Sequence, residues 1–281
     1  MTKTAKAGAA ASRLSARDVD LKYAERMVSQ GISVAIPDKA FTAIVGPNAC
    51  GKSTLLRALS RLLTPTRGEI VLDGRNIREL PSKQVARTLG LLPQSSIAPD
   101  GITVADLVAR GRYPHQSFLQ HWTAQDEAAV VSAMTDTGVL ELSGRMVDEL
   151  SGGQRQRVWI AMVLAQETPL LLLDEPTTFL DIAHQYELLN LLRRLNQRSG
   201  QTVVAVLHDL NQACRYAGHV IAMRDGAIVA EGAPTELITA ELVEHVFGLP
   251  CRVIPDPVSN TPLVIPLEEP IHLPETERAE S

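Results

Sequence analysis

The stretch Gly46-Pro47-Asn48-Ala49-Cys50-Gly51-Lys52-Ser53-Thr54 has the residue types and spacing of a phosphate-binding loop, G-x-x-x-x-G-K-[ST]. Phe41-Thr42-Ala43-Ile44-Val45 before it is short and apolar, as a buried strand is, and Leu55 to Leu63 after it has helical periodicity. A strand feeding a helix through a glycine-bounded turn leaves the first helical amides unpaired and aimed into the turn. Those amides, with the positive end of the helix, bind phosphate. Lys52 then sits over the β- and γ-phosphates and the Ser53 hydroxyl reaches Mg²⁺. The plainer alternative is a glycine turn before an ordinary helix. Chance matches occur in on the order of one chain in a hundred, and the strand–turn–helix context lowers that further.

A second chemical signal is Leu170-Leu171-Leu172-Leu173-Asp174-Glu175-Pro176. Four consecutive leucines predict a central parallel strand buried on both faces. Carboxylates at its C-terminal end are costly to bury without partners. Mg²⁺ can compensate Asp174, and Glu175 can polarise an attacking water. Gln94 and His208 each close another apolar run, Leu89 to Pro93 and Thr202 to Leu207, which puts them at strand ends where open α/β sheets bind ligands. Ser151-Gly152-Gly153-Gln154 predicts an N-cap followed by a bare helix start. Two glycines in a first turn cost about 1 kcal/mol each against alanine, so the bare amides suggest a second phosphate-contacting surface. Tyr23 either stacks on an adenine or is an ordinary strand aromatic. His208 either contacts a γ-phosphate or neighbours a helix cap. Cys50 is read as a small residue in a tight turn rather than a redox group.

The elements that position these groups follow from periodicity. Ser15 to Tyr23 and Ile32 to Ile36 predict two antiparallel strands ahead of the loop strand, with Leu21 and Tyr23 on one face. Glu69 to Gly74 predicts a strand and turn, and Ser82 to Arg87 a short helix. From Thr103 to Ala165 the pattern is helical, with Thr103 and Thr123 as caps, so residues 95–165 are expected to form an inserted helical subdomain. Ala183 to Arg198 predicts an amphipathic helix, His219 to Gly232 two strands around Asp225-Gly226, and residues 251–267 edge strands. Residues 1–14 and the acidic 268–281 are expected to be unstructured. The chain has 281 residues, 45% of them hydrophobic, enough for a sizeable core. Its net charge of −5 argues against a nucleic-acid partner. The longest purely apolar run, Val158 to Ala165, is far short of the roughly 20 residues of a membrane span. Three scattered cysteines predict reduced thiols.

Taken in order, the phosphate loop at Gly46–Thr54, Gln94, Leu150-Ser151-Gly152-Gly153-Gln154, Asp174-Glu175, Asp181 and His208 resemble the ATP-binding cassette superfamily over residues 15–267. Ala109-Arg110-Gly111-Arg112-Tyr113-Pro114-His115 and Val206 to Ala217 are similar to the ATPase subunits of iron–siderophore importers. With the periodicities, the resemblance implies an α/β fold. It has a phosphate-loop NTPase core with a mostly parallel sheet, an N-terminal antiparallel β-subdomain and the helical insert. It implies ATP and Mg²⁺ as cofactors, with Tyr23 stacking on adenine and Gly46 to Thr54 holding phosphates. Ser53, Gln94 and Asp174 would serve Mg²⁺, Glu175 would be the general base, and His208 the γ-phosphate sensor. Ser151 and Gly153 would reach the ATP of a partner in a homodimer, and Asp181 would join the two sites. The segment from Gln94 to about His115 would receive an integral membrane permease, which places the chain peripherally on the cytoplasmic side of the inner membrane. The implied cargo is an iron(III)–siderophore of the enterobactin type, delivered to the permease by a periplasmic or extracellular binding protein.

Three positions depart from the family pattern. Ala49 stands where glycine is usual, Lys39 replaces a common turn glycine, and Phe179 fills a variable slot. Haem or cobalamin is an alternative cargo, and a soluble cassette ATPase acting on DNA or ribosomes an alternative function. A guanine-nucleotide enzyme would need an Asn/Thr-Lys-x-Asp reader, and the last lysine of the chain is Lys83.

Overall fold

The structure is a computed structural model that describes residues 12–116 and 122–267. Strands β1 (Leu14–Tyr23), β2 (Arg26–Ile36) and β3 (Phe41–Val45) lead into α1 (Lys52–Leu59). Then come β4 (Arg67–Leu72), β5 (Arg75–Asn76), α2 (Ser82–Thr88) and β6 (Leu89–Leu92). Helices α3 (Val104–Ala109), α4 (Ala124–Asp136) and α5 (Gly152–Ala165) precede β7 (Leu170–Asp174) and α6 (Ile182–Ser199). The chain continues through β8 (Thr202–Val206), α7 (Leu210–Tyr216), β9 (His219–Arg224) and β10 (Ala227–Gly232). It closes with α8 (Pro234–Leu237), α9 (Ala240–Phe247), β11 (Cys251–Pro255) and β12 (Pro262–Pro266).

The main sheet has the order β10-β9-β3-β8-β7-β6, parallel except for the β9–β10 hairpin. Alternation of side chains divides its apolar residues between two cores. Leu171 and Leu173 of β7 join Val203 and Ala205 of β8 under α5, α6 and α7. Leu170 and Leu172 join Ile44, Val204 and Ile221 on the other face, under α1 and the second sheet. The leucine run is therefore a strand flanked on both edges and covered on both faces, as its composition requires.

The second sheet is antiparallel, in the order β2-β1-β4-β5. The two N-terminal strands pair as expected, but the strand expected at Glu69 belongs with them, on the other edge of β1. The ordered chain also begins before residue 15. Leu14 opens β1 fully buried, and Arg13 is paired to Asp73 at 2.6 Å. The remaining expectation for the N-terminus, residues 1–11, and that for 268–281 lie outside the described residues.

Three further boundaries differ from the sequence reading. Helix α1 stops at Leu59 rather than Leu63, because Arg61 turns left-handed (φ 69°) and leaves Leu62 exposed. Strand β6 ends at Leu92, so Gln94 lies in the loop beyond it. Strands β11 and β12 pair with each other rather than on an edge of the main sheet. The Asn211 amide of α7 anchors that hairpin, accepting from Val264 N (2.7 Å) and donating to Val264 O (3.2 Å).

Helices α3, α4 and α5 enclose a third core around Val104, Leu107, Val130, Met134, Val158 and Ala161. Helix α5 is shared, since its Ile160 and Val163 enter the main core instead. A buried ion pair fastens the insert. Arg112, 2% exposed, donates to Asp126 Oδ1 at 2.9 Å. Hydrogen bonds from Thr123 and Arg112 hold the Asp126 carboxyl down at about 2, against 3.8 ordinarily. A depressed folded-state value adds stability that is complete above the unfolded value and is lost as pH falls from about 4 through about 2. Breaking a buried pair from one side costs about 3–5 kcal/mol. Asp126→Asn is therefore expected to lower the urea midpoint at neutral pH and to flatten the loss of stability between about pH 4 and 2. An unchanged acid profile would show that this pair does not set it.

Candidate active site

The turn between β3 and α1 forms around Gly51, whose left-handed backbone (φ 103°) lets Lys52 to Thr54 start the helix with their amides facing the turn. Gly46, Pro47 and Cys50 make the back of the loop. Cys50 is buried, and burial pushes its thiol up despite the nearby Lys52. The Lys52 ammonium curls across the turn and donates to Gly46 O (2.8 Å) and Pro47 O (2.7 Å). Ala49 has φ 61°, Lys39 57° and Phe179 68°, so all three departures from the family pattern sit in the left-handed region. An alanine there costs about 1–2 kcal/mol in the folded state, and glycine gives part of that back through its freer unfolded chain. Ala49→Gly is expected to raise stability by up to about 1 kcal/mol, and a lower melting temperature would contradict this.

Strand β7 delivers Asp174 to the same turn. Ser53 Oγ donates to Asp174 Oδ1 at 2.8 Å. Asp174 is 1% exposed, and burial pushes its carboxyl up against the Ser53 hydrogen bond. Its Oδ2 has no hydrogen-bond partner among the described residues. A buried carboxylate oxygen without a donor, on a carboxylate bonded to the Ser53 hydroxyl, is a hard-oxygen donor set that fits Mg²⁺, and Gln94 lines the same cleft as Ser53. Glu175 follows in a left-handed turn (φ 53°) that swings its carboxylate into the cleft, 2.9 Å from His208 Nε2. Burial pushes the Glu175 carboxyl up, but bonds from His208 and Gln94 and the charge of Lys52 outweigh it and hold the group low.

One cleft of about 860 Å³ takes in Tyr23, Asn48, Ala49, Gly51 to Thr54, Gln94, Glu175 and His208, while Gly46, Pro47, Cys50 and Asp174 lie outside its lining. Tyr23 stands at its edge, 41% exposed, its hydroxyl accepting from Arg57 Nη1 at 3.2 Å. Sequence reasoning missed part of the wall: Arg26, Met27 and Val28 from the start of β2, and Asp225-Gly226 from the β9–β10 turn. The Asp225-Gly226 turn was visible as a turn. Its contact with the loop, Gly226 N donating to Cys50 O at 3.1 Å, exists because β9 pairs beside β3.

Ser151, Gly153 and Asp181 are not in this cleft. They line a separate one of about 410 Å³ with Phe179 and His184. Ser151 caps α5 through a reciprocal bond pair with Gln154 (3.2 and 3.1 Å), as the sequence predicts. Asp181 caps α6 through His184 N at 2.9 Å and also accepts from His184 Nδ1 at 2.7 Å. The His184 amide and ring hold its carboxyl low.

The ABC transporter family model matches residues 29–178. The ferric enterobactin transport ATP-binding protein FepC of Escherichia coli (strain K12) is 59% identical over 256 residues, 91% of this chain and 94% of FepC. The achromobactin transport ATP-binding protein CbrD of Dickeya dadantii (strain 3937) is 51% identical over 253 residues, 90% of this chain and 94% of CbrD. Among solved structures, a transporter described as metal-chelate type, in an inward-facing conformation, superposes with a TM-score of 0.76 at 29% identity, covering 91% of this chain and 97% of that one. The dimeric ATP-binding cassette MJ0796 bound to ADP and Pi gives 0.70 at 27% identity, covering 78% and 98%. More than half of the sequence lies in the family match, and nine-tenths of it aligns with FepC and with CbrD: the chain belongs to the ABC transporter family, as one of its ATP-binding cassettes.

Proposed function

We propose that this cassette hydrolyses ATP to drive import of an iron(III)–siderophore of the enterobactin type. The observation that carries the mechanism is the division of the site. Lys52, Ser53, Glu175 and His208 meet in one cleft, with the buried Asp174 bonded to Ser53 behind it, while Ser151 and Gly153 present a helix start in another. Two copies facing each other place the Ser151 surface of one against the ATP of the other, with Asp181 between the two sites.

In the closed pair, Tyr23 stacks on adenine, and Lys52 with the loop amides from Gly46 to Thr54 holds the phosphates. Ser53, Gln94 and Asp174 would hold Mg²⁺, which would neutralise charge on the phosphate oxygens when bound. Glu175, ionised at neutral pH, takes the proton of the attacking water, and His208 beside it senses the γ-phosphate. Closure follows because ATP binds the closed pair better than the open one. Driving that switch nearly to completion takes about 5.5 kcal/mol of differential affinity, within reach of charge-assisted contacts in two sites. Loss of the γ-phosphate reopens the pair, and a membrane-embedded permease follows the motion. Among the described residues no helix is long and apolar enough to cross a membrane. The likeness to FepC supports a peripheral place on the cytoplasmic side of the inner membrane. Ile97 and Tyr113, 94% and 59% exposed, offer apolar contact for the permease between Gln94 and His115. A periplasmic or extracellular binding protein supplies cargo without touching this chain.

The likeness to FepC supports the cargo. The test is uptake of radioiron-labelled ferric enterobactin by cells lacking the chain and complemented with wild type or Lys52→Ala. Uptake restored by wild type alone is the expected result. Loss of haem or cobalamin uptake instead would change the cargo. Intact uptake of all three would remove the import function.

A further inference from the structure

The node around Arg112 does more than bind the helical insert. Helix α5 carries Ser151 and Gly153 at its N-terminal end and runs 14 residues, about 21 Å, to Ala165. At that far end the last carbonyls of a helix have no partner within the helix. Here segment 110–116 supplies them. Arg112 Nη1 donates to Ala165 O at 2.8 Å, and His115 Nε2 donates to Gln166 O at 2.8 Å. A cation at this end also suits the helix dipole. The same guanidinium binds Asp126 at the start of α4 and Glu167 Oε2 at 2.7 Å. Gly111 packs so closely on α5 that a Cβ there would lie 2.2 Å from Met162 O. Segment 110–116 is in turn tied to α2, the helix before β6: Arg87 Nε donates to Pro114 O at 2.7 Å, and Lys83 bonds Gln116 O. In the second turn of α5, Gln156 Nε2 donates to Pro176 O at 3.1 Å, one residue beyond Glu175.

We propose that Arg112 is a positioning residue for the Ser151 end of α5: its three-way grip on Asp126, Ala165 O and Glu167 makes α5 a strut of fixed position, so that Ser151 and Gly153 meet the partner's ATP in register. The inference rests on the function proposed above. Arg112 lines neither cleft, so it acts through α5 and not on nucleotide. A lysine keeps the charge but cannot span three acceptors, because it lacks the planar fork. Loss of the grip lets the helix start drift, and displacements near 1 Å in a reacting constellation cost up to about a hundredfold in rate.

The test measures ATP turnover of the full chain, per nucleotide bound at saturation, for wild type, Ser151→Ala, Arg112→Lys and Glu167→Gln. Arg112→Lys is expected to lower kcat about tenfold with KM for ATP within about twofold of wild type. Glu167→Gln, which takes the charge from one arm at the half-exposed rim of the node and leaves only a neutral acceptor, is expected to lower kcat about two- to threefold with the same KM. Wild-type kcat in Ser151→Ala would overturn the reading of the closed dimer on which the inference rests. Slow Ser151→Ala beside wild-type kcat in both node variants would overturn the positioning role alone. A rise in KM matching the fall in kcat would also overturn it, since that is what a general loosening of the fold produces. If Arg112→Lys does not fold, Glu167→Gln decides by the same criteria.

Discussion

Glu175→Gln binds ATP, loses turnover by about a hundred- to a thousandfold, and accumulates as a closed dimer of twice the monomer mass. The reason lies in the end of β7. The left-handed turn at Glu175 brings its carboxylate to 2.9 Å from His208 Nε2, at the wall of the cleft that Lys52 and Ser53 share. Bonds from His208 and Gln94 keep that carboxyl low despite burial, so it stands ionised at neutral pH and is ready to accept a proton. An amide of the same shape cannot accept it. Nothing in the substitution touches the loop amides or the Ser151 surface, so ATP-driven closure continues and reopening stops. Light scattering with and without ATP, beside a phosphate-release assay, checks both halves. Normal turnover would remove Glu175 from the base role. Lost turnover without a dimer would separate the chemistry from closure.

Lys52→Ala loses most of its ATP affinity, by about a hundredfold or more, as expected for removing a charged donor worth about 1.5–3 kcal/mol per hydrogen bond. Lys52 is 5% exposed, and its ammonium already lies at the mouth of the turn, held by the carbonyls of Gly46 and Pro47. The helix α1 starts at this residue, so alanine keeps the turn and removes the charge. Titration with a fluorescent ATP analogue, alongside a melting curve to show an intact fold, measures the effect. Unchanged affinity would contradict the assignment of the loop.

The parts of this site that lie along one stretch of chain were legible in the sequence. The loop from Gly46 to Thr54, the strand Leu170–Asp174 and the Ser151 cap each carry their signal in consecutive residues, and each stands where local physics put it. What needed pairing between distant strands was not legible. Nothing near Glu69 says that β4 completes a sheet with β1, or that β11 and β12 would pair with each other and hang on Asn211. Asp225-Gly226 reads as a hairpin turn, and only the placement of β9 beside β3 makes it a wall of the cleft. Helical periodicity ran past Leu59 because it does not register the left-handed Arg61. Arg110 and Arg112 stand two apart in one motif, yet Arg110 is exposed and Arg112 buried, because only Arg112 faces the end of α5. The positive φ of Ala49, Lys39 and Phe179 shows the opposite case, in which a departure from a family pattern marked real backbone geometry.

The measurement closest to the central claim is a pull-down of tagged Glu175→Gln protein with ATP from detergent-solubilised membranes, with partners identified by mass spectrometry. The account predicts a polytopic membrane protein in stoichiometric amount, together with a second copy of this chain. Ribosomal or DNA-bound proteins without a permease would leave the ATP chemistry of the cleft standing and contradict the import function.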